Sequence, residues 1–207
     1  MVKLIIFDLD GVLVEAKNIH YHALNEALGD EFIISWNEHL STYDGLKTSQ
    51  KLDMLTKTRG LPTTLHSKIW EAKQHHTLKM LKELKPSTSL QLVMSTLIED
   101  GYKLAVASNS IRKTVVTVLA KLGIIEFMDL IISNEDVLNS KPHPEMYWQA
   151  ISKMKCLPEE TLIVEDSPYG LLAAARSKSY ILRVKNPQEV TYKNISKKLT
   201  QIQMGDT

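Results

Sequence analysis

The sequence predicts an α/β fold: a parallel β-sheet with helices on both faces, interrupted after its first strand by an all-helical insertion. Three observations predict it. Five short runs are continuously apolar rather than alternating, as strands buried on both faces require. Amphipathic segments of helix length separate the last four runs, the strand–helix alternation of a parallel sheet. The stretch from about Glu15 to Lys85 contains no comparable run and is too long for an ordinary crossover.

In order, the predicted strands are Leu4–Phe7, Lys103–Ala107, Leu130–Ile132, Thr161–Val164 and Tyr180–Val184. Helices are expected over about Ile111–Leu122, Pro144–Lys155 and Pro168–Ser177. Ser110 is an N-cap candidate for the first of these. Ser167 followed by Pro168 supplies an N-cap with proline at the first helical position. In the insertion, helices are expected at Ile19–Leu28, Ser49–Arg59 and Thr64–Leu84, with Asp44-Gly45 and Gly60-Leu61-Pro62 as turns. After Asn186 one amphipathic helix, Tyr192–Ile202, precedes a frayed end. The division is then a Rossmann-like core of residues 1–15 and 86–207 with helices 16–85 between.

Composition sets the outer bounds. With 207 residues, 43% hydrophobic and 24% charged, the chain has apolar material for a real core. Lys and Arg number 25 against 24 acids, so no global field favours nucleic acid or an anionic membrane. The opening apolar run is too short for a signal peptide, and no stretch reaches the roughly 20 residues a membrane helix needs. Cys156 has no partner for an internal disulfide, which fits a reducing compartment; a cytoplasmic protein is expected.

Parallel α/β sheets bind ligands at the carboxyl ends of their strands. Here the first strand ends in Asp8-Leu9-Asp10-Gly11, the second in Ser108-Asn109-Ser110, and the fourth in Glu165-Asp166-Ser167. Lys141 follows the third in Ser140-Lys141-Pro142. Clustered carboxylates repel unless a cation neutralises them, and oxygen ligands suit a hard ion such as Mg2+. A hydroxyl and free N–H groups near a helix start suit a phosphate oxygen, and lysine adds a point charge. Taken singly, each motif reads as a turn, a helix cap or a surface lysine. Together they point to phosphoryl chemistry.

Phe7-Asp8-Leu9-Asp10-Gly11-Val12-Leu13 resembles the first motif of the haloacid dehalogenase superfamily. Ser108-Asn109 resembles its second, Lys141-Pro142 its third, and Glu165-Asp166-Ser167-Pro168-Tyr169-Gly170 its fourth, in order across nearly the whole chain. The resemblance implies that Asp8 is a nucleophile forming an aspartyl-phosphate and that Asp10 is the acid/base. It implies that Ser108 and Asn109 contact the phosphate and that Lys141 balances charge. Mg2+ would be held by Asp8, the carbonyl of Asp10 and Asp166, with Glu165 acting through water. Asp10 speaks against dehalogenation, which needs neither that aspartate nor a metal.

The insertion resembles the helical cap of the branch containing beta-phosphoglucomutase and phosphoglycolate phosphatase, beginning after Val14 and returning at Lys85-Pro86. It holds six of the seven histidines and ten Lys/Arg against eight Asp/Glu, a mildly basic lid for an anionic substrate. The resemblance implies that His20 approaches Asp10 and that Lys47, in Gly45-Leu46-Lys47-Thr48, reaches substrate. Most of the remaining histidines are expected at the surface, and Trp36, Trp70 and Trp148 as core or interface fillers. Lys178-Ser179 stands where the branch has Ala-Gly, and Ala16 where the mutase has a polar residue. The expected activity is a Mg2+-dependent phosphatase acting on a small phosphorylated metabolite. A sugar-phosphate mutase is the first alternative, and a non-catalytic binding protein of the same fold the second. Oligomeric state, substrate and pathway are not legible.

Overall fold

The computed structural model describes residues 1–205. Its five strands are β1 (Leu4–Phe7), β2 (Lys103–Ala107), β3 (Leu130–Ile132), β4 (Thr161–Glu165) and β5 (Tyr180–Arg183). All pair in parallel, in the order β3-β2-β1-β4-β5. The predicted strands match within a residue: β4 gains Glu165 and β5 stops before Val184. The chain leaves β1 for β2 on one side and later returns to β4 on the other. That reversal opens a crevice at the carboxyl ends of β1, β2 and β4, where doubly wound sheets bind ligands.

Helices cover both faces because successive strand residues point to opposite sides. Ile5 and Phe7 pack with Leu104, Val106 and Val164 beneath α5 (Thr88–Glu99), α6 (Arg112–Leu122) and α9 (Tyr192–Met204). Leu4 and Ile6 face the other way, against α7 (Glu145–Lys153) and α8 (Pro168–Ser177). Every β1 side chain is fully buried, each worth about 1.5–3 kcal/mol. The strand carrying Asp8 is therefore a rigid mount.

Helix α5 was not expected from the strand-led reading, although Leu90, Val93, Met94 and Leu97 form its buried stripe behind an N-capping Ser87. Ser167 caps α8 as expected, its hydroxyl accepting from Gly170 N–H at 3.1 Å. The expectation for Ser110 fails: Ile111 occupies the N-cap of α6, and the Ser110 hydroxyl has another partner, described below. Lys178 ends α8 at φ +63°, a left-handed position usually given to glycine. The last helix runs two residues past its expected end, to Met204. The frayed end predicted beyond it falls on residues 206–207, outside the described residues.

Between β1 and β2 the described residues form helices: α1 (Lys17–Leu28), α2 (Trp36–Glu38), a π-helical turn (His39–Tyr43), α3 (Thr48–Arg59) and α4 (His66–Leu81). The α2 and π segments were not predicted. They are held by a Ser35–Glu38 capping box. Leu24, Leu28, Phe32, Ile34, Leu52, Leu55 and Ile69 make a separate apolar cluster among these helices. Two expectations are corrected here. His39 is fully buried rather than superficial, stacked on Trp36. Trp70 and Trp148 are 37% and 48% exposed, which removes the core half of the core-or-interface expectation for them.

Candidate active site

The site is assembled by backbone geometry first. Asp8 N–H donates to Val164 O at 3.0 Å, continuing the sheet ladder one residue past β1, and Ser108 N–H donates to Ile132 O at 3.0 Å past β2. The turn after Asp8 closes with Gly11 N–H on Val14 O at 2.7 Å. Gly11 sits at φ +88°, and a Cβ there would lie 2.1 Å from Asp166 Oδ2. The Asp-x-Asp-Gly motif thus needs its glycine twice over, for the turn and for the approach of Asp166.

Lys141 is the hub. Its ammonium donates to Asp8 Oδ1 at 2.5 Å, Glu165 Oε1 at 2.6 Å and Ala107 O at 2.9 Å. Its side chain is 3% exposed, with Asp8 at 9% and Glu165 at 0%. Burial pulls the lysine's pKa down, but Asp8 and Glu165 outweigh it and hold the ammonium above its ordinary value. Burial pushes Asp8 well up; Lys141 opposes this, and Glu165, Asp166 and Asp10 add to it. Glu165 spends its second oxygen on the N–H groups of Asp166 (3.0 Å) and Ser167 (3.2 Å), while Tyr147 OH donates to the first at 2.8 Å. Gly170 makes room, since a Cβ there would lie 1.8 Å from Glu165 Oε1.

Asp10 faces the insertion. Ser110 OH donates to its Oδ2 at 2.9 Å, and His20 Nε2 lies 3.1 Å from the same oxygen, off-line for a hydrogen bond. Burial raises the Asp10 pKa, but His20, Ser110 and Lys73 together bring it to about 2. His20 is buried, its Nδ1 3.2 Å from Lys73 Nζ, and burial holds its pKa below the usual value.

Seven of the nine expected residues therefore converge: Asp8, Asp10, His20, Lys47, Ser108, Asn109 and Lys141 line one crevice, while Glu165 and Asp166 do not line it. Ser108 Oγ accepts from Ser110 N–H at 3.0 Å, leaving its own hydrogen to donate. Asn109 departs from expectation. Its amide donates to Gly45 O (2.8 Å) and Lys141 O (3.3 Å) and accepts from Lys141 N–H (3.1 Å), so the side chain bridges backbone and has no donor left for a ligand.

Three contributors were missed. Lys51 and Lys73 line the same crevice, and both are buried. Burial lowers the Lys51 pKa to about 8, and burial plus Lys51 lowers Lys73 to about 7. The available signal was a charged residue on an apolar stripe, because Ile69, Lys73, Thr77 and Leu81 recur every four residues in α4 and are all buried. Lys17 is the third, its Nζ 3.0 Å from Asp166 Oδ2; Ser110, expected as a cap, serves Asp10 instead.

The acidic group fits a hard divalent cation. Asp8, Glu165 and Asp166 bring carboxylate oxygens within 4.8 Å of one another. Asp166 Oδ1 is buried without a partner among the described residues, and an all-oxygen donor set suits such an ion.

Comparison with known proteins agrees with this geometry. Residues 5–184 match the family described as haloacid dehalogenase-like hydrolase. The pyrophosphatase PpaX of Halalkalibacterium halodurans is 27% identical over 175 residues, covering 83% of this chain and 78% of the relative. A phosphorylated carbohydrates phosphatase of Thermotoga maritima is 26% identical over 178 residues, covering 82% and 79%. Among solved structures, beta-phosphoglucomutase from Clostridium difficile superposes with a TM-score of 0.85 at 20% identity, covering 99% of this chain and 100% of the other. No helix among the described residues is long and apolar enough to cross a membrane. With the family matched over most of its length and that family's four motifs gathered at one crevice, the chain belongs to the haloacid dehalogenase-like hydrolases.

Proposed function

We propose that the protein is a Mg2+-dependent phosphatase that hydrolyses a small phosphate monoester through an aspartyl-phosphate on Asp8, beneath a cap formed by residues 16–85. The observation carrying this reading is the placement of Asp8 and Asp10 at one crevice with different partners: Asp8 is gripped by Lys141, while Asp10 accepts from Ser110 with His20 beside it. Two carboxylates in different environments can take different roles.

Asp8, the Asp10 carbonyl and Asp166 would hold the cation. When bound, it supplies charge neutralisation for the phosphoryl group and the attacking carboxylate. The protein's own residues do the rest. Asp8 attacks phosphorus and the bond to the leaving oxygen breaks; Asp10 gives that oxygen a proton. Asp10, now a carboxylate, takes a proton from the water that attacks the aspartyl-phosphate, which frees Asp8 and inorganic phosphate. A phosphate dianion entering beside Asp10 offsets the charge of Lys51 and Lys73 and raises its proton affinity, readying it as the acid. Ser108 donates to a phosphoryl oxygen. Lys141 holds Asp8 in position. Glu165, with both oxygens engaged, is better suited to orienting Lys141 than to reaching the cation through water.

Lys51 and Lys73, with Lys47 at the rim, suit a second anionic group on the substrate, consistent with relatives named for pyrophosphate and phosphorylated carbohydrates. A cytoplasmic setting fits the lone cysteine, Cys156. The contact of His20 with Asp10 also favours a second reading, a sugar-phosphate mutase, in which the phosphorylated enzyme rejects water. A panel of sugar, nucleotide and glycolate phosphates with Mg2+ separates the two. Release of free phosphate supports the phosphatase, and isomer interconversion without release replaces it with the mutase. Asp8→Asn must abolish either activity. Equal turnover by wild type and variant would refute both readings.

A further inference from the structure

Lys17 stands between two carboxylates. Its ammonium is 3.0 Å from Asp166 Oδ2 and 3.8 Å from Asp44 Oδ2, with the side chain about a quarter exposed. Asp166 follows β4, whereas Asp44 belongs to the loop after the π-helical turn, and Lys17 opens α1. That loop is pressed on the sheet side: Gly45 O receives the Asn109 amide at 2.8 Å, and a Cβ on Gly45 would lie 3.5 Å from Ser167. Asp166 Oδ1 remains buried without a partner among the described residues while Lys17 takes Oδ2. An ammonium and a divalent ion on one carboxylate repel each other strongly, since little water lies between to screen them. Occupation of Asp166 by a cation therefore disfavours Lys17 where it stands, and Asp44 offers an anionic seat within a short swing.

We propose that Lys17 is a built-in competitor for the divalent cation, neutralising Asp166 in the metal-free protein and transferring to Asp44 when the cation binds. The inference rests on Asp166 being a metal ligand. It converts one ion pair between the sheet and the insertion into one wholly within the insertion, so metal occupancy and the seating of α1 become linked. The opposite role, Lys17 as a brace that orders Asp166 for the metal, predicts the opposite sign, since loss of a brace weakens binding.

The test is direct titration of the full chain with Mg2+ by calorimetry and with Mn2+ by electron paramagnetic resonance, without substrate. Lys17→Met should bind either ion about fivefold more tightly than wild type, the equilibrium equivalent of a partly exposed ion pair. Lys17→Arg should stay near wild type. Asp44→Asn should bind more weakly, and the weakening should be smaller when Lys17→Met is already present. Lys17→Gln serves if the methionine variant fails to fold, as judged by thermal denaturation. If wild type binds, Asp166→Asn does not, and loss of the Lys17 charge gives equal or weaker binding, the competitor role is overturned while the metal site stands. If wild type binds no better than Asp166→Asn, the metal assignment falls and takes this inference with it.

Discussion

Replacing Lys141 with methionine keeps most of the side-chain volume and removes the only cation among the described residues in contact with Asp8 and Glu165. At 3% exposure, water cannot take its place without rearrangement. Breaking a buried ion pair on one side costs about 3–5 kcal/mol, because the remaining charge is stranded. For a chain of this size that corresponds to a fall in Tm of roughly 6–20 °C. The loss should depend on pH. Asp8 already has a folded pKa raised by burial and by neighbouring carboxylates, with Lys141 the opposing influence, so the variant raises it further. A carboxyl whose folded pKa lies above its unfolded value favours the folded state below the unfolded pKa and loses that advantage as pH rises through the folded one. The deficit of Lys141→Met should therefore be smallest near pH 4–5, about the ordinary carboxyl range, and grow toward neutrality. Urea denaturation of both proteins at about pH 5 and pH 7.5, without metal, measures it. A loss below about 1 kcal/mol at the higher pH, outside the range for a buried pair, or a loss that does not shrink on acidification, would refute the account of Lys141 as the hub.

Three further outcomes follow from particular contacts. Gly11→Ala combines a left-handed backbone with a Cβ 2.1 Å from Asp166 Oδ2; it should lower stability by at least ~1 kcal/mol and weaken Mg2+ binding, read by denaturation and calorimetry. Ser110→Ala removes the hydroxyl donor that helps keep Asp10 near 2, so the Asp10 pKa should rise by about one unit, the size of one charge-assisted hydrogen bond. NMR titration of the Asp10 carboxyl would report it, and an unmoved pKa would count against the Ser110 hydroxyl as its anchor. Asp136 accepts two bonds from Arg112 at 2.7 Å each, and with Ser133 these overcome burial to hold its pKa at about 2. Its depressed pKa contributes stability above the unfolded value that is lost as pH falls toward 2. Asp136→Asn should accordingly cost about 2 kcal/mol at pH 7 and nearly nothing near pH 2, compared by denaturation at each pH.

Local order was readable where one physical rule acted alone. Buried parallel strands must be apolar on both faces, so Leu4–Phe7 and Lys103–Ala107 could be bounded from sequence and agree with the structure. The Ser167-Pro168 helix start was equally legible, since capping depends on adjacent residues. Helix α5 was within reach but overlooked: its stripe of Leu90, Val93, Met94 and Leu97 has helical spacing. The π-helical turn at His39–Tyr43 was not, because an extra residue per turn leaves no regular period. Ser110 was misassigned for a similar reason. A serine before a helix has two uses, capping and side-chain contact, and only the position of Asp10 chooses between them.

What the sequence by itself determined was the sheet, its strand order of appearance, and the list of polar residues at the strand ends, because alternation of buried runs and turn residues is written in local chemistry. The motifs by themselves also name Asp8, Asp10, Ser108, Lys141 and Asp166. Only the tertiary structure decided the partners: that Lys141 joins Asp8 to Glu165 across separate strands, that Asn109 is used up on backbone, that Lys51 and Lys73 reach the crevice from the insertion, and that Lys17 reaches Asp166. The reason is that the field on a buried charge depends on distances of a few ångströms between residues far apart in the chain, and those are fixed only when the helices close over the sheet.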